Sequence, residues 1–233
     1  MLTHALKAQI EEDIPSAFAL YQHPNHGSIP TGIAEIDAAV RGVPLRALTE
    51  ICGGNLASSG KTSVLTSLLA QASREHFCAL VDAADSFDPV SGLAGGIHLP
   101  RLLWVRCGKS RVKLPPLEQA FKVADILLQS GGFGLIVVDL SSIPEHVVRR
   151  VPLTSWFRFS RVIEKQTAAL VFVEQKPHAT SCAGLVLQVA SEPTSFSGNL
   201  FTRCTLKVAL LRGRNKKPVS SEQSTFSLQT QWA

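Results

Sequence analysis

The sequence contains no apolar run near the roughly 18 residues that a membrane-spanning helix needs. Its best local runs, Ala168 to Val173 and Leu135 to Val138, are far shorter, so no membrane span is expected. No export signal is expected either, because Glu11, Glu12 and Asp13 fall where its apolar centre would lie. A cytoplasmic location follows as an expectation. Cys52, Cys78, Cys107, Cys182 and Cys204 are odd in number, lack any C-x-x-C pair and sit mostly in apolar runs. That pattern favours buried reduced thiols over a zinc or disulfide framework. No repeat of fixed period and no low-complexity tract occurs, so solenoids and propellers drop out. Charged residues make up 18% of the 233, below the roughly 25% of average globular chains, and 45% are hydrophobic. These values oppose disorder and predict one ordinary domain with a packed core.

The charge that is present is unevenly placed. Residues 1–99 hold 5 basic and 10 acidic side chains, and residues 100–233 hold 18 and 8, giving −5 and +10 for a net +5. Such asymmetry marks a face that meets a polyanion, although scattered surface lysines produce the same arithmetic.

Hydrophobic patterning alternates between two periods. Leu2 to Glu12 has helical spacing and ends before a Pro/His/Gly loop, which suggests an N-terminal arm and linker over residues 1–27 ahead of a core over 28–233. From Leu48 the pattern reads strand to Cys52, Gly/Ser loop, helix Lys61 to Arg74 and strand Phe77 to Val81. It continues as strand Leu102 to Arg106, helix Leu117 to Gln129, strand Leu135 to Val138, helix Thr154 to Lys165 and strand Ala169 to Val173. Alternation of this kind predicts an α/β fold with a mainly parallel sheet and helices on both faces. After Gln175 a polar loop is expected to Asn199, then strands Leu200 to Leu211 and Thr225 to Thr230 paired antiparallel at one edge. Trp104, Trp156 and Phe157 are read as core aromatics.

The segment Gly53-Gly54-Asn55-Leu56-Ala57-Ser58-Ser59-Gly60-Lys61-Thr62-Ser63 follows a strand and opens a helix. In that context a glycine-lysine loop cradles phosphate: backbone N–H groups and the helix N-terminus meet the charge, Lys61 reaches the β and γ phosphates, and Thr62 ligates Mg²⁺. The strict spacing wants glycine where Asn55 stands. Either the loop is one residue longer and hinged at Gly54, or Asn55 takes the positive φ. Asp139, ending the apolar strand from Leu135, is placed to hold Mg²⁺ opposite Thr62, or else caps the strand end.

Leu48-Thr-Glu-Ile, Ser58-Ser-Gly-Lys-Thr, Ala79-Leu-Val-Asp-Ala and Asp88-Pro89 together resemble the bacterial RecA recombinase family. Glu118-Gln-Ala, Gly131 through Asp139, Phe172-Val-Glu-Gln175 and Pro30 through Asp37 extend the resemblance over about residues 28–230. The short length and Ala47-Leu-Thr-Glu-Ile51 also resemble ImuA-type proteins, relatives implicated in damage-induced mutagenesis. The resemblance implies a RecA-like P-loop NTPase core binding ATP and Mg²⁺ through Gly54, Ser58, Ser59, Gly60, Lys61, Thr62 and Ser63. It further implies Asp88 near the adenine, Gln175 sensing the γ phosphate and coupling it to a DNA loop, and Arg212 and Arg214 touching nucleotide on a neighbouring subunit.

Ala84 stands where RecA carries the glutamate that orients water, and losing such a base costs about 10² to 10⁴ in rate. Asp85 is adjacent and is a weak substitute, so slow hydrolysis is expected. The resemblance places Arg149, Arg150 and Lys176 at DNA-entering loops, while Arg203, Lys207, Arg212, Arg214, Lys216 and Lys217 form a basic stretch without an acid. Single-stranded DNA is the expected partner, with a homo-oligomer, RecA or a translesion polymerase as further partners. The alternative is a non-catalytic interaction module that keeps the fold.

Overall fold

The structure is a computed structural model that describes residues 27–54, 59–83, 85–108, 114–191, 195–197, 200–213 and 225–231. At 195–197, 200–205 and 225–231 the backbone alone is described. The expected N-terminal helix therefore lies outside the described residues.

Strand β1 (Ser28–Ile29), helix α1 (Ala34–Val40) and β2 (Val43–Pro44) precede the main sheet. The Asp37 carboxylate fixes this segment by accepting from the Thr31 N–H and hydroxyl, both at 2.8 Å, and from the Gly32 N–H at 3.1 Å. Gly42 closes β1 onto β2 at φ 89°, where a Cβ would meet the Ile29 carbonyl oxygen at 2.4 Å. Only glycine fits that approach.

The main run is β3 (Leu48–Cys52), α2 (Lys61–Glu75), β4 (Cys78–Asp82), α3 (Pro89–Ala94), β5 (Leu102–Arg106), α4 (Pro116–Ser130) and β6 (Leu135–Asp139). It continues through α5 (Glu145–Val148), α6 (Leu153–Ile163), β7 (Ala169–Glu174), β8 (Ala183–Ser191), β9 (Ser195–Ser197), β10 (Leu200–Arg212) and β11 (Thr225–Gln231). The sheet order is β11-β10-β8-β3-β7-β6-β4-β5, with β9 paired to β10. Strands from β8 through β5 are parallel to their neighbours, whereas β10 runs antiparallel to both β8 and β11. The mainly parallel sheet with antiparallel edge strands matches the expectation. No helix among the described residues is long and apolar enough to cross a membrane.

Successive strand side chains point to opposite faces, so each buried strand feeds two cores. Ile51, Leu80, Val137, Val171 and Leu187 meet Val64, Leu65, Leu68 and Leu69 of α2 on one face. Leu48, Val81, Val138 and Phe172 meet Ala120, Ala124 and Leu128 of α4 and Trp156 and Phe159 of α6 on the other. Cys52, Cys78, Cys107 and Cys182 are buried free thiols, as expected; the side chain of Cys204 lies outside the description.

Two expectations are corrected. The polar loop from Gln175 to Asn199 contains β8, which sits between β3 and β10. Its Leu185, Leu187 and Val189 are buried while Gln188 and Ala190 are exposed, a half-buried alternation. The strand follows β7 through a single 3₁₀ turn at Thr180–Cys182 in place of a helix, so the strand-helix rhythm gave no sign of it. Phe157 is the second: it is 43% exposed on the outer side of α6, whereas Trp156 beside it is 1% exposed. Helical spacing turns neighbours about 100° apart, and one of them must leave the core.

Phe172 is fully buried and lies 4.9 Å from Trp156 and 5.7 Å from Phe159, ring centre to ring centre. Phe172→Ala should therefore lower stability by about 3–5 kcal/mol, the cost of an aromatic cavity. Urea denaturation followed by tryptophan fluorescence measures it, and a loss below about 1 kcal/mol would mean the site collapses around the cavity.

Candidate functional site

The connection from β3 to α2 combines close approach with an uncapped helix. A Cβ on Gly53 would meet the Val189 carbonyl oxygen at 2.6 Å, and one on Gly60 would meet a Leu206 methyl at 2.3 Å. Gly60 is the residue before α2, at φ 83°, and has no side chain to cap the helix; the first turn carries no acid. Among the described residues no side chain caps the first-turn N–H groups, and these with the positive end of the helix favour an anion. Gly54 has open space at its Cβ position and lacks a positive φ, while Asn55 and Ser58 lie outside the described residues.

Lys61 is 8% exposed, and its Nζ donates to the Glu174 carbonyl at 3.3 Å. Burial pulls its pKa down, and the charge of Asp139 partly restores it. Asp139 ends β6 beside Val173 of β7 and opposite Asp82 of β4. Strand alternation puts it on the α2 side of the sheet, because Val138 faces the other core. Its Oδ1 accepts from the Ser141 N–H at 2.9 Å, and burial holds its pKa above the ordinary carboxylate value. Thr62 and Ser63 are exposed at the first turn of α2, and Ser59 is buried. A buried cation, an open helix end and the hard oxygens of Thr62 and Asp139 fit a triphosphate carrying Mg²⁺.

The remaining expected residues fall into distinct places. The Gln175 Nε2 donates to the Ser141 and Ile143 carbonyls, both at 3.2 Å, tying the end of β7 to the loop after Asp139. Lys176 reaches Glu145 at 3.9 Å, so it lies beside the same loop as the exposed Arg149 and Arg150. Asp85, at φ 57°, is engaged by Arg106 in two contacts of 2.5 and 2.9 Å. That ion pair occupies the carboxylate at the β5 edge of the sheet. Asp88 caps α3, accepting from the Val90 and Ser91 N–H groups at 3.2 and 3.0 Å and from the Ser91 hydroxyl at 2.5 Å. Lys207 is exposed on β10 near the Lys61 end of the sheet, whereas Arg212, the last residue of β10, is level with Val186 in the middle of β8. The Arg203 side chain, Ala84, Arg214, Lys216 and Lys217 lie outside the description.

Residues 10–148 match the family described as RecA N-terminal domain. The chain belongs to the RecA family. It is 34% identical over 143 residues to Protein RecA of Rickettsia bellii (strain OSU 85-389), covering 58% of this chain and 39% of that one. Against Protein RecA of Ectopseudomonas oleovorans it is 39% identical over 114 residues, 48% of this chain and 30% of the other. Against Protein RecA of Fusobacterium nucleatum subsp. nucleatum it is 37% identical over 119 residues, 49% and 29% respectively. The matches thus span well under half the length of these relatives.

This RecA-family core also holds a buried acid cluster to which the motifs assign no role. Glu50 and Glu174 are both fully buried, on the face of the sheet opposite α2. Glu50 Oε1 accepts from the His178 and Ala179 N–H groups at 2.6 and 2.7 Å. Glu174 Oε2 pairs with His178 Nδ1 at 2.6 Å. The signal in sequence is an acid inside each of two apolar strands, Leu48-Thr-Glu-Ile and Leu170-Val-Phe-Val-Glu.

Burial pushes the Glu174 carboxyl up to about 7, with Glu50 adding to the rise and His178 opposing it. His178 is also raised, chiefly by its bond to Glu174. Between the ordinary value of 4.5 and about 7, the folded chain keeps a proton on Glu174 that the unfolded chain has released. Stability therefore falls as pH rises through that window, by at most about 1.4 kcal/mol per pH unit. Glu174→Gln should flatten this part of the slope in urea denaturation run from about pH 5 to 8. An unchanged slope would place the titrating proton elsewhere.

Proposed function

We infer that the chain is an ATP-binding RecA-like protein acting in DNA recombination, repair or damage-induced mutagenesis, with weak hydrolysis and single-stranded DNA as its polymer partner. The observation that carries this reading is the buried Lys61 at the uncapped start of α2, with Asp139 on the same face. Bound Mg²⁺ would supply divalent charge against the phosphates. Lys61 would exchange the Glu174 carbonyl for a phosphate oxygen, while the Thr62 hydroxyl and Asp139 carboxylate would hold the metal. Gln175, joined to the Ser141 and Ile143 carbonyls, would carry a change at the phosphate end into the loop bearing Arg149 and Arg150.

The Asp85–Arg106 ion pair supports slow turnover, because a carboxylate held in two contacts is poorly disposed to take a proton. The same observation favours the second reading, a non-catalytic module of the RecA fold that binds RecA or a repair polymerase. Nucleotide affinity separates the two. Lys61→Ala should weaken ATP with Mg²⁺ by about 10- to 100-fold in calorimetry, the worth of a charge-assisted contact. Equal affinity in mutant and parent would leave the interaction module.

Single-stranded DNA should bind with an affinity that falls steeply with salt. Replacing Arg149 and Arg150 by alanine should reduce the log–log salt slope by about 1.4 if each meets a phosphate. Fluorescence anisotropy of a labelled oligonucleotide over a salt series checks this, and an unchanged slope would remove both arginines from the DNA path.

A further inference from the structure

The connection from β3 to α2 is gripped at Gly53 and at Gly60 by strands that lie far along the chain. A Cβ on Gly53 would lie 2.6 Å from the Val189 carbonyl oxygen of β8. One on Gly60 would lie 2.3, 2.8 and 3.1 Å from Cδ2, Cδ1 and Cγ of Leu206 on β10. Val189 pairs with Val208, and Leu206 with Ser191, so both contacts come from the antiparallel pair β8 and β10. Leu206 is 3% exposed and belongs to the apolar cluster that also holds Val64 and Leu68 of α2. Its side chain thus fills the place of the one that Gly60 lacks.

Gly60 governs how α2 begins. It stands at φ 83° and ψ 1°, and its carbonyl accepts from the Val64 N–H at 3.1 Å. Glycine visits positive and negative φ about equally and loses more freedom on ordering than any other residue. A residue with a Cβ is restrained by its own sterics, whereas Gly60 has to be restrained from outside. Among the described residues, apart from its chain neighbours, the three atoms nearest its Cβ position all belong to Leu206. A wall at that point opposes rotation of Gly60 and keeps the peptide that enters Lys61 in one orientation.

We propose that Leu206 is a positioning residue for the phosphate-binding turn: its side chain holds Gly60 at positive φ, so that Lys61 and the first turn of α2 are set before a nucleotide arrives. A turn ordered in advance does not lose that freedom on binding, and affinity rises accordingly. Ordering one backbone residue corresponds to about 5- to 30-fold in an equilibrium constant. Nucleotide affinity therefore depends on β10, a strand outside the Gly53–Ser63 segment. The effect on affinity rests on Lys61 binding nucleotide; the effect on the order of the turn does not.

The test uses the full chain, with calorimetry of ATP with Mg²⁺ and amide hydrogen exchange at Val64 in the ligand-free protein. Leu206→Ala removes the contact, and Leu206→Val shortens the side chain while keeping a buried apolar residue. Leu135→Ala, in the same apolar cluster but at the end of β6 away from Asp139, is the control for lost packing. Leu206→Ala should weaken ATP about 5- to 30-fold and speed Val64 exchange by a similar factor, with Leu206→Val between it and the parent and Leu135→Ala unchanged in both. Gly60→Ala should bind ATP weakly, and adding Leu206→Ala should restore part of that loss, because the shorter side chain leaves room for the new Cβ. A residue that only supports the core would not show this reversal of sign. Leu206 variants that match the parent, or change no more than Leu135→Ala does, overturn the proposal, as does a Gly60→Ala loss that Leu206→Ala deepens. A parent that binds no ATP overturns the Lys61 reading alone, and Val64 exchange then settles the role of Leu206 by the same comparison.

Discussion

Parallel pairing dictates the layout of this molecule. A strand cannot pass directly to a parallel neighbour, because the chain must first return the full length of the sheet. Every strand from β3 to β8 consequently ends on the same side, and the loops that leave those ends converge. Lys61 after β3, Asp139 at the end of β6 and Gln175 after β7 are more than a hundred residues apart in sequence at the extremes, yet they share one rim. The order places β3 between β7 and β8, so Lys61, which opens the helix after it, stands by the ends of those strands.

The two faces of the central strands carry opposite electrostatic problems. On the α2 side, a buried ammonium and a half-buried carboxylate are each disfavoured by desolvation and each eased by the other's charge. On the far side, Glu50 and Glu174 are like charges kept tolerable by backbone N–H donors and by His178. Both carboxyls are raised by burial. Lys61 touches this arrangement through the Glu174 backbone and not through its side chain. The segment from Gln175 to Ala179 is thereby anchored twice, by the Gln175 amide on one side and by Glu50 on the other.

The crossing from β7 to β8 shows why some elements escape a reading of the chain. Periodicity finds strands when helices separate them, and that rule located β3 through β7. The connection to β8 is a short tether with a 3₁₀ turn, possible because Glu50 satisfies its backbone donors from inside the sheet. Without the tertiary partner, Lys176 to Cys182 is simply a polar stretch. Phe157 is a similar case: an aromatic beside Trp156 reads as core until the rotation of α6 puts one ring in and the other out.

The sequence by itself determined the α/β rhythm, the family and the glycine-lysine segment between a strand and a helix, because strand and helix periods and the Gly60-Lys61-Thr62 spacing are local properties of the chain. Tertiary structure decided what each charged group faces. Asp85 is turned to Arg106 on a neighbouring strand, Asp88 is turned back into its own helix, and Arg212 is turned to the Thr180 carbonyl ahead of β8. Those outcomes depend on strand order and register, which are set by packing between residues distant in sequence. No local pattern encodes them, because the energy that fixes them exists only once both faces of the sheet are covered.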